Sequence, residues 1–108
     1  MANSYKFKGV ALATTTETAL LTAASDETLI IKSIRATNNT SNTPTISMDV
    51  SDNSASAEYT ILKTQTLSAN TGIELIKVPL VLEASDAIKA TVSSSDSVHF
   101  GISYMSVT

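Results

Sequence analysis

His99 is the chain's single histidine, and there is no cysteine. An imidazole works as a general base only when a second group orients it and a substrate lies within hydrogen-bond reach. A Ser-His-Asp arrangement would have to draw its acid from ten Asp and Glu residues, and no motif ties any of them to His99. His99 also alternates with Phe100, which puts it on the outer face of a strand or at an interface. The acids Asp49, Asp52 and Glu58, with Asn53, bring several oxygen ligands near one loop, and Ca2+ takes such donors. Their spacing is not that of an EF-hand, and Asp and Asn are also what turns use. Asn38-Asn39-Thr40 and Asn39-Thr40-Ser41 both fit the N-glycosylation pattern, which a Thr/Ser-rich loop matches by chance. Gly9, Gly72 and Gly101 are too far apart to build a phosphate loop. These residues therefore imply no enzyme, no metal and no cofactor.

The elements that would carry these residues are short strands. Apolar and polar residues alternate over brief runs, and clusters of Ser, Thr, Asn and Asp separate the runs. Tyr5 and Phe7 alternate with Lys6 and Lys8 in a first strand over Ser4 to Ala13. Gly9 reads as a bulge or bend at which the facing set shifts to Val10 and Leu12. Ala19 to Ala23 reads as a short strand or one helical turn. Thr28 to Asn38 is the strongest strand of the first half, with Lys32 and Arg35 reaching a rim or a partner. Strands follow over Thr45 to Ser51, Glu58 to Lys63 and Ile73 to Val78. Pro79 has no N–H for a ladder, so it marks an edge or a break. Leu80 and Leu82 face inward beyond it. The turns Ser85-Asp86 and Ser94 to Ser97 lead into the last two strands, over Ile88 to Ser93 and Val98 to Tyr104.

Eight or nine strands at roughly ten-residue spacing predict an all-β fold. The expected architecture is an antiparallel β-sandwich of jelly-roll or Greek-key type, as one domain over residues 1–108. The expected core is Ile46, Met48, Val50, Tyr59, Ile61, Leu80, Leu82, Ile88, Val92, Phe100 and Ile102. By strand parity Tyr59, Phe100 and Tyr104 belong to the core rather than to a sugar-binding platform.

Only 16% of the residues are charged, and 16 Thr and 16 Ser take up much of the remaining polar surface. Hydroxyls cost less to desolvate than charges, so such an exterior suits protein–protein packing. The net charge is −3, with seven scattered cations and one Arg among them. That is no footprint for nucleic acid. The N-terminus lacks the apolar stretch of a signal peptide, and no run is long enough for a membrane helix.

Two segments carry a resemblance. Ile30-Ile-Lys-Ser-Ile-Arg-Ala-Thr-Asn38 and Pro79-Leu-Val-Leu-Glu-Ala-Ser-Asp-Ala-Ile-Lys-Ala-Thr91 resemble segments of small virion proteins of tailed phages of marine or cyanobacterial type. The closing Ile102-Ser-Tyr104 also fits. Ser85 stands where those proteins often carry Gly. The resemblance implies a structural protein of the virion, assembled in the host cytoplasm. The first expectation is a capsid decoration (cement) protein that binds the major capsid protein at capsomer junctions as a homo-oligomer, with a trimer favoured. The alternative is a neck, tail or fibre component with possible host-surface glycan binding. A non-viral adhesion or enzyme-associated module is a third class. The segment Ala2, Asn3, Ser4, Tyr5, Lys6, Phe7 and Lys8 is the candidate partner-binding arm within residues 1–8. The competing expectation for it is an ordinary first strand in its own sheet.

Overall fold

A computed structural model of the chain describes residues 3–95 and 97–108. Nine strands alternate with turns, and no helix occurs among the described residues. They are β1 (Asn3–Leu12), β2 (Thr18–Thr22), β3 (Thr28–Asn38), β4 (Thr45–Asp52), β5 (Ala57–Thr66), β6 (Gly72–Glu74), β7 (Leu80–Leu82), β8 (Ala87–Val92) and β9 (Val98–Val107). One sheet runs β1-β9-β3-β6, with β7 also on β3; the other runs β2-β8-β4-β5. We call them the front and back sheets.

The pairing is that of one long hairpin folded over on itself. From its tip outward, β4 pairs β5, β3 pairs β6 and β7, β2 pairs β8, and β1 pairs β9, all antiparallel. Two further ladders, β3 on β9 and β4 on β8, close the roll. This is jelly-roll topology. β6 and β7 together fill the place of one strand, so the nine strands keep an eight-stranded plan. Pro79 lies in the break between them, as its missing N–H predicts.

The core lies between the sheets, and strand periodicity fills it. β9 turns Val98, Phe100 and Ile102 inward, and β8 turns Ile88, Ala90 and Val92 inward. In β3 the buried set changes parity, from Leu29 and Ile31 to Ile34 and Ala36. A register shift between Ile31 and Ser33 against β9 causes the change. One extra residue turns every later side chain to the opposite face. In β2 a similar shift between Ala19 and Leu21 lets both Leu20 and Leu21 be buried.

Most of the expected core holds, with Val50 and Leu80 half-buried at its margin. Tyr59 and Ile61 do not belong to it, being 55% and 39% exposed. β5 is an edge strand with two register shifts against β4. Met48 faces Leu62 and Asp49 faces Thr60, so Ile61 is the unpaired extra residue. Leu62 packs on the core instead. Gly9 is no bulge either. It pairs with Gly101 in an unbroken ladder from Asn3–Val107 to Leu12–Val98. Ile73 to Val78 is not one strand, because the ladder ends at Glu74.

Loops at one end are tied by Asn38, which is wholly buried. Its Nδ2 donates to the carbonyls of Asn42 (2.7 Å), Ser68 (3.2 Å) and Leu67 (3.3 Å). Its Oδ1 accepts from Thr40 N (2.9 Å) and Thr40 Oγ1 (2.7 Å). At the other end the buried carboxylate of Asp86 accepts from Asn53 N and Glu83 N, each at 2.9 Å. Among the described residues no buried side-chain polar atom lacks a partner.

Candidate functional site

Residues 3–8 of the candidate arm form the first half of β1, and each pairs with a residue of β9. Ala2 lies outside the described residues. Asn3 to Lys8 are therefore part of the chain's own front sheet, not a free arm. Among the described residues no strand lies on the other side of β1, so its backbone groups form an open sheet edge. Lys6 and Lys8 stand along that edge, and charge on an edge strand discourages pairing between like strands.

Register fixes which side chains of β1 look outward. Lys8 is opposite the buried Ile102, whereas Phe7 is opposite the exposed Ser103. Tyr5 and Phe7 thus stand on the outer face of the front sheet, 77% and 70% exposed. One cross-strand row there is apolar from edge to edge. Tyr5 pairs with Met105, Met105 with Ile30, and Ile30 with Val81. Val81 is 53% exposed, and Met105 and Ile30 are half-buried. Apolar side chains on a solvent-facing sheet normally stand singly; a continuous row is the unusual case.

The other end of the same face holds a groove of about 560 Å3. Its floor is the backbone of β9 around Gly101, next to Gly9. The ring of Phe7 closes over both glycines. A Cβ at Gly101 would come within 3.1–3.2 Å of that ring, so a larger residue there would push the ring outward by a few tenths of an ångström. Arg35, Ser33 and Thr37 of β3 form one wall, and His99 lies at the end. Among the described residues the Arg35 side chain makes no hydrogen bond or ion pair. Its cross-strand neighbour Glu74 is engaged elsewhere: the carboxylate accepts from Ser33 Oγ and from Ile34 N at 2.8 Å.

His99 faces outward, as its alternation with Phe100 predicts, and Ser97 Oγ lies 3.4 Å from its Nε2. The acids separate into two groups. Asp49 and Glu58 meet Glu17, with one oxygen of each within 4.8 Å of the others. Lys89 Nζ sits 3.3 Å from Glu58 Oε1 and supplies a counter-charge. Desolvation first, then the Asp49 hydrogen bond and the Glu58 and Asp49 charges, raise the Glu17 carboxyl above its ordinary 4.5, against the pull of Lys89. Asp52 instead holds its own turn through Ser54 Oγ and Ala55 N, and Asn53 is tied to Asp86 by its backbone. The burial of Asn38 leaves its amide no access for glycan attachment.

The groove was not foreseen from the sequence. Phe7, Arg35 and His99 each stood out for a separate reason, but only the β1–β9–β3 register brings them together.

No family model and no curated protein matches the chain. A solved structure of the CBM22-1–GH10 modules of endo-1,4-beta-D-xylanase 10B from Clostridium thermocellum, complexed with xylohexaose, is similar at 18% identity and a TM-score of 0.46. The match covers 82% of this chain and 18% of that one.

Proposed function

We propose that the chain is a non-catalytic structural protein of a phage virion, a capsid decoration protein that docks on the major capsid protein. The apolar row Tyr5–Met105–Ile30–Val81 carries the reading. It is a docking stripe on an exterior otherwise rich in hydroxyls. The resemblance of the segments 30–38 and 79–91 supplies the virion context. Docking would bury the row against the shell, and each copy would bridge neighbouring capsomers and resist internal pressure.

Size argues for more than one copy per contact. Stable interfaces bury about 1,200–2,000 Å2 in all, whereas an exposed patch on one small domain is on the order of a few hundred Å2. A homo-oligomer, with a trimer favoured, multiplies a weak contact into firm attachment. The test is add-back. Shells prepared without the protein are mixed with the purified chain and pelleted. Replacing Tyr5→Ser and Val81→Ser together is expected to weaken binding at least about tenfold, or ~1.4 kcal/mol. Undiminished pelleting would overturn the docking stripe. The groove favours a second reading, a neck, tail or fibre component that touches host-surface glycans.

A further inference from the structure

We propose that the groove over Gly9 and Gly101 is a binding site for an acidic saccharide, a pyranose bearing a carboxylate. This sharpens the host-glycan reading to one site and one ligand class, and it rests on that reading only for its biological setting.

Three observations select the ligand. Phe7 offers an aromatic surface that is 70% exposed, yet its outer ring atoms are held against the glycine floor. An open ring next to hydroxyls suits the apolar face of a sugar ring. Arg35 is the chain's one arginine, lines this groove, and its side chain has no hydrogen-bond or ion-pair partner among the described residues. Its planar fork matches a carboxylate in a bidentate pair. Glu74, its cross-strand neighbour, places a carboxylate on Ser33 at the same wall, so an anion would be held by the fork of Arg35 and not by a general positive field. Thr37 brings a hydroxyl to the same wall, whereas the Ser33 hydroxyl is already donated to Glu74 and can only accept.

The backbone argues against two other occupants. β9 is paired on one side with β1 and on the other with β3. β9 therefore offers no open edge in the floor, and the free edge of β1 lies at the rim, so a peptide strand could add to the sheet only beside the groove and not within it. The same pairing engages the ladder N–H groups that a phosphate nest would need. Ring stacking and side-chain donors remain, and these are the means of sugar recognition.

The experiment is an amide-shift NMR titration of the isolated chain with tetra-mannuronate, and in parallel with neutral cellotetraose. The expected result is saturable shifts at Gly9, Arg35, His99 and Gly101 with the acid, and binding about tenfold weaker or absent with the neutral sugar. Arg35→Gln should weaken acid binding about tenfold, and Phe7→Ala should weaken both sugars while the remaining spectrum stays folded. Shifts elsewhere, equal affinity for the two sugars, an Arg35→Gln chain that binds as well as the parent, or no shifts at ~10 mM acid, where even millimolar affinity would show, would each overturn the site. A chain that binds the acid but sits on the capsid shell would keep the site and overturn only the tail-fibre setting.

Discussion

Asn38 shows how one side chain can fix two loops. Its amide joins the loop after β3 to the loop after β5, with no exposure to water. Asn38→Ala would leave buried carbonyls and an N–H without partners. Each such orphan costs about 1–3 kcal/mol, so a loss of about 2–4 kcal/mol in chemical denaturation is expected. Glu27 gives a pH signature. Its carboxylate accepts from the Ser106 hydroxyl and from Ala24 N at 3.0 Å. The Ser106 bond first, then the Ala24 bond, with a small help from the Lys6 charge, outweigh desolvation and hold it below its ordinary 4.5. A lowered folded-state value stabilises the fold above about 4.5 and loses that contribution as pH falls through the lowered value. Glu27→Gln should therefore melt below the parent at neutral pH, with the gap closing in acid. Glu17, shifted upward, works in the opposite sense: its contribution is present below 4.5 and fades as pH rises through the raised value. A Glu27→Gln gap that stays constant down to about pH 3 would contradict the assignment.

At the scale of elements, the sequence was legible where the strand was regular. β9 alternates without a bulge, and its inward Phe100 and outward His99 follow directly from period two. β5 misled because Ile61 is inserted by a bulge and Tyr59 lies on an edge, and no propensity marks either fact. β1 misled for another reason. Tyr5 and Phe7 are more apolar than Lys6 and Lys8, yet pairing with β9 turns the aromatics outward. Leu67 is buried although it lies in a connection, held by its N–H to Pro44 O at 2.9 Å. The groove needed the two registers of β1 and β3 on β9 at once, and a single strand's pattern holds neither of them. The turn before β8 carries its own test. Ser85 adopts φ 65°, a left-handed conformation that Gly takes at no steric cost. Left-handed backbone costs a non-Gly residue about 1–2 kcal/mol, partly offset by the greater entropy Gly loses. Ser85→Gly should raise stability by about 0.5–1 kcal/mol. A lower melting temperature would show that the Ser hydroxyl contributes more than the backbone strain removes.

The whole molecule is elongated, 45 × 28 × 21 Å, and its front sheet presents two unlike surfaces on one face. The apolar row crosses the sheet where β1 begins and β9 ends. The Arg35 groove occupies the opposite half of the same strands. Phe7 and Ser103 of the groove adjoin Tyr5 and Met105 of the row on this face, so a copy seated by the row would crowd the groove and the two contacts would compete. Variants of Tyr5 and Val81 should affect docking, and variants of Arg35 should affect saccharide binding. The most direct measurement is a symmetric reconstruction of the intact particle that carries this chain. Many symmetry-related copies are expected on the outside of the shell, with Tyr5 and Val81 against the capsid. A few copies at a single vertex, or Tyr5 and Val81 facing solvent in every copy, would contradict the account.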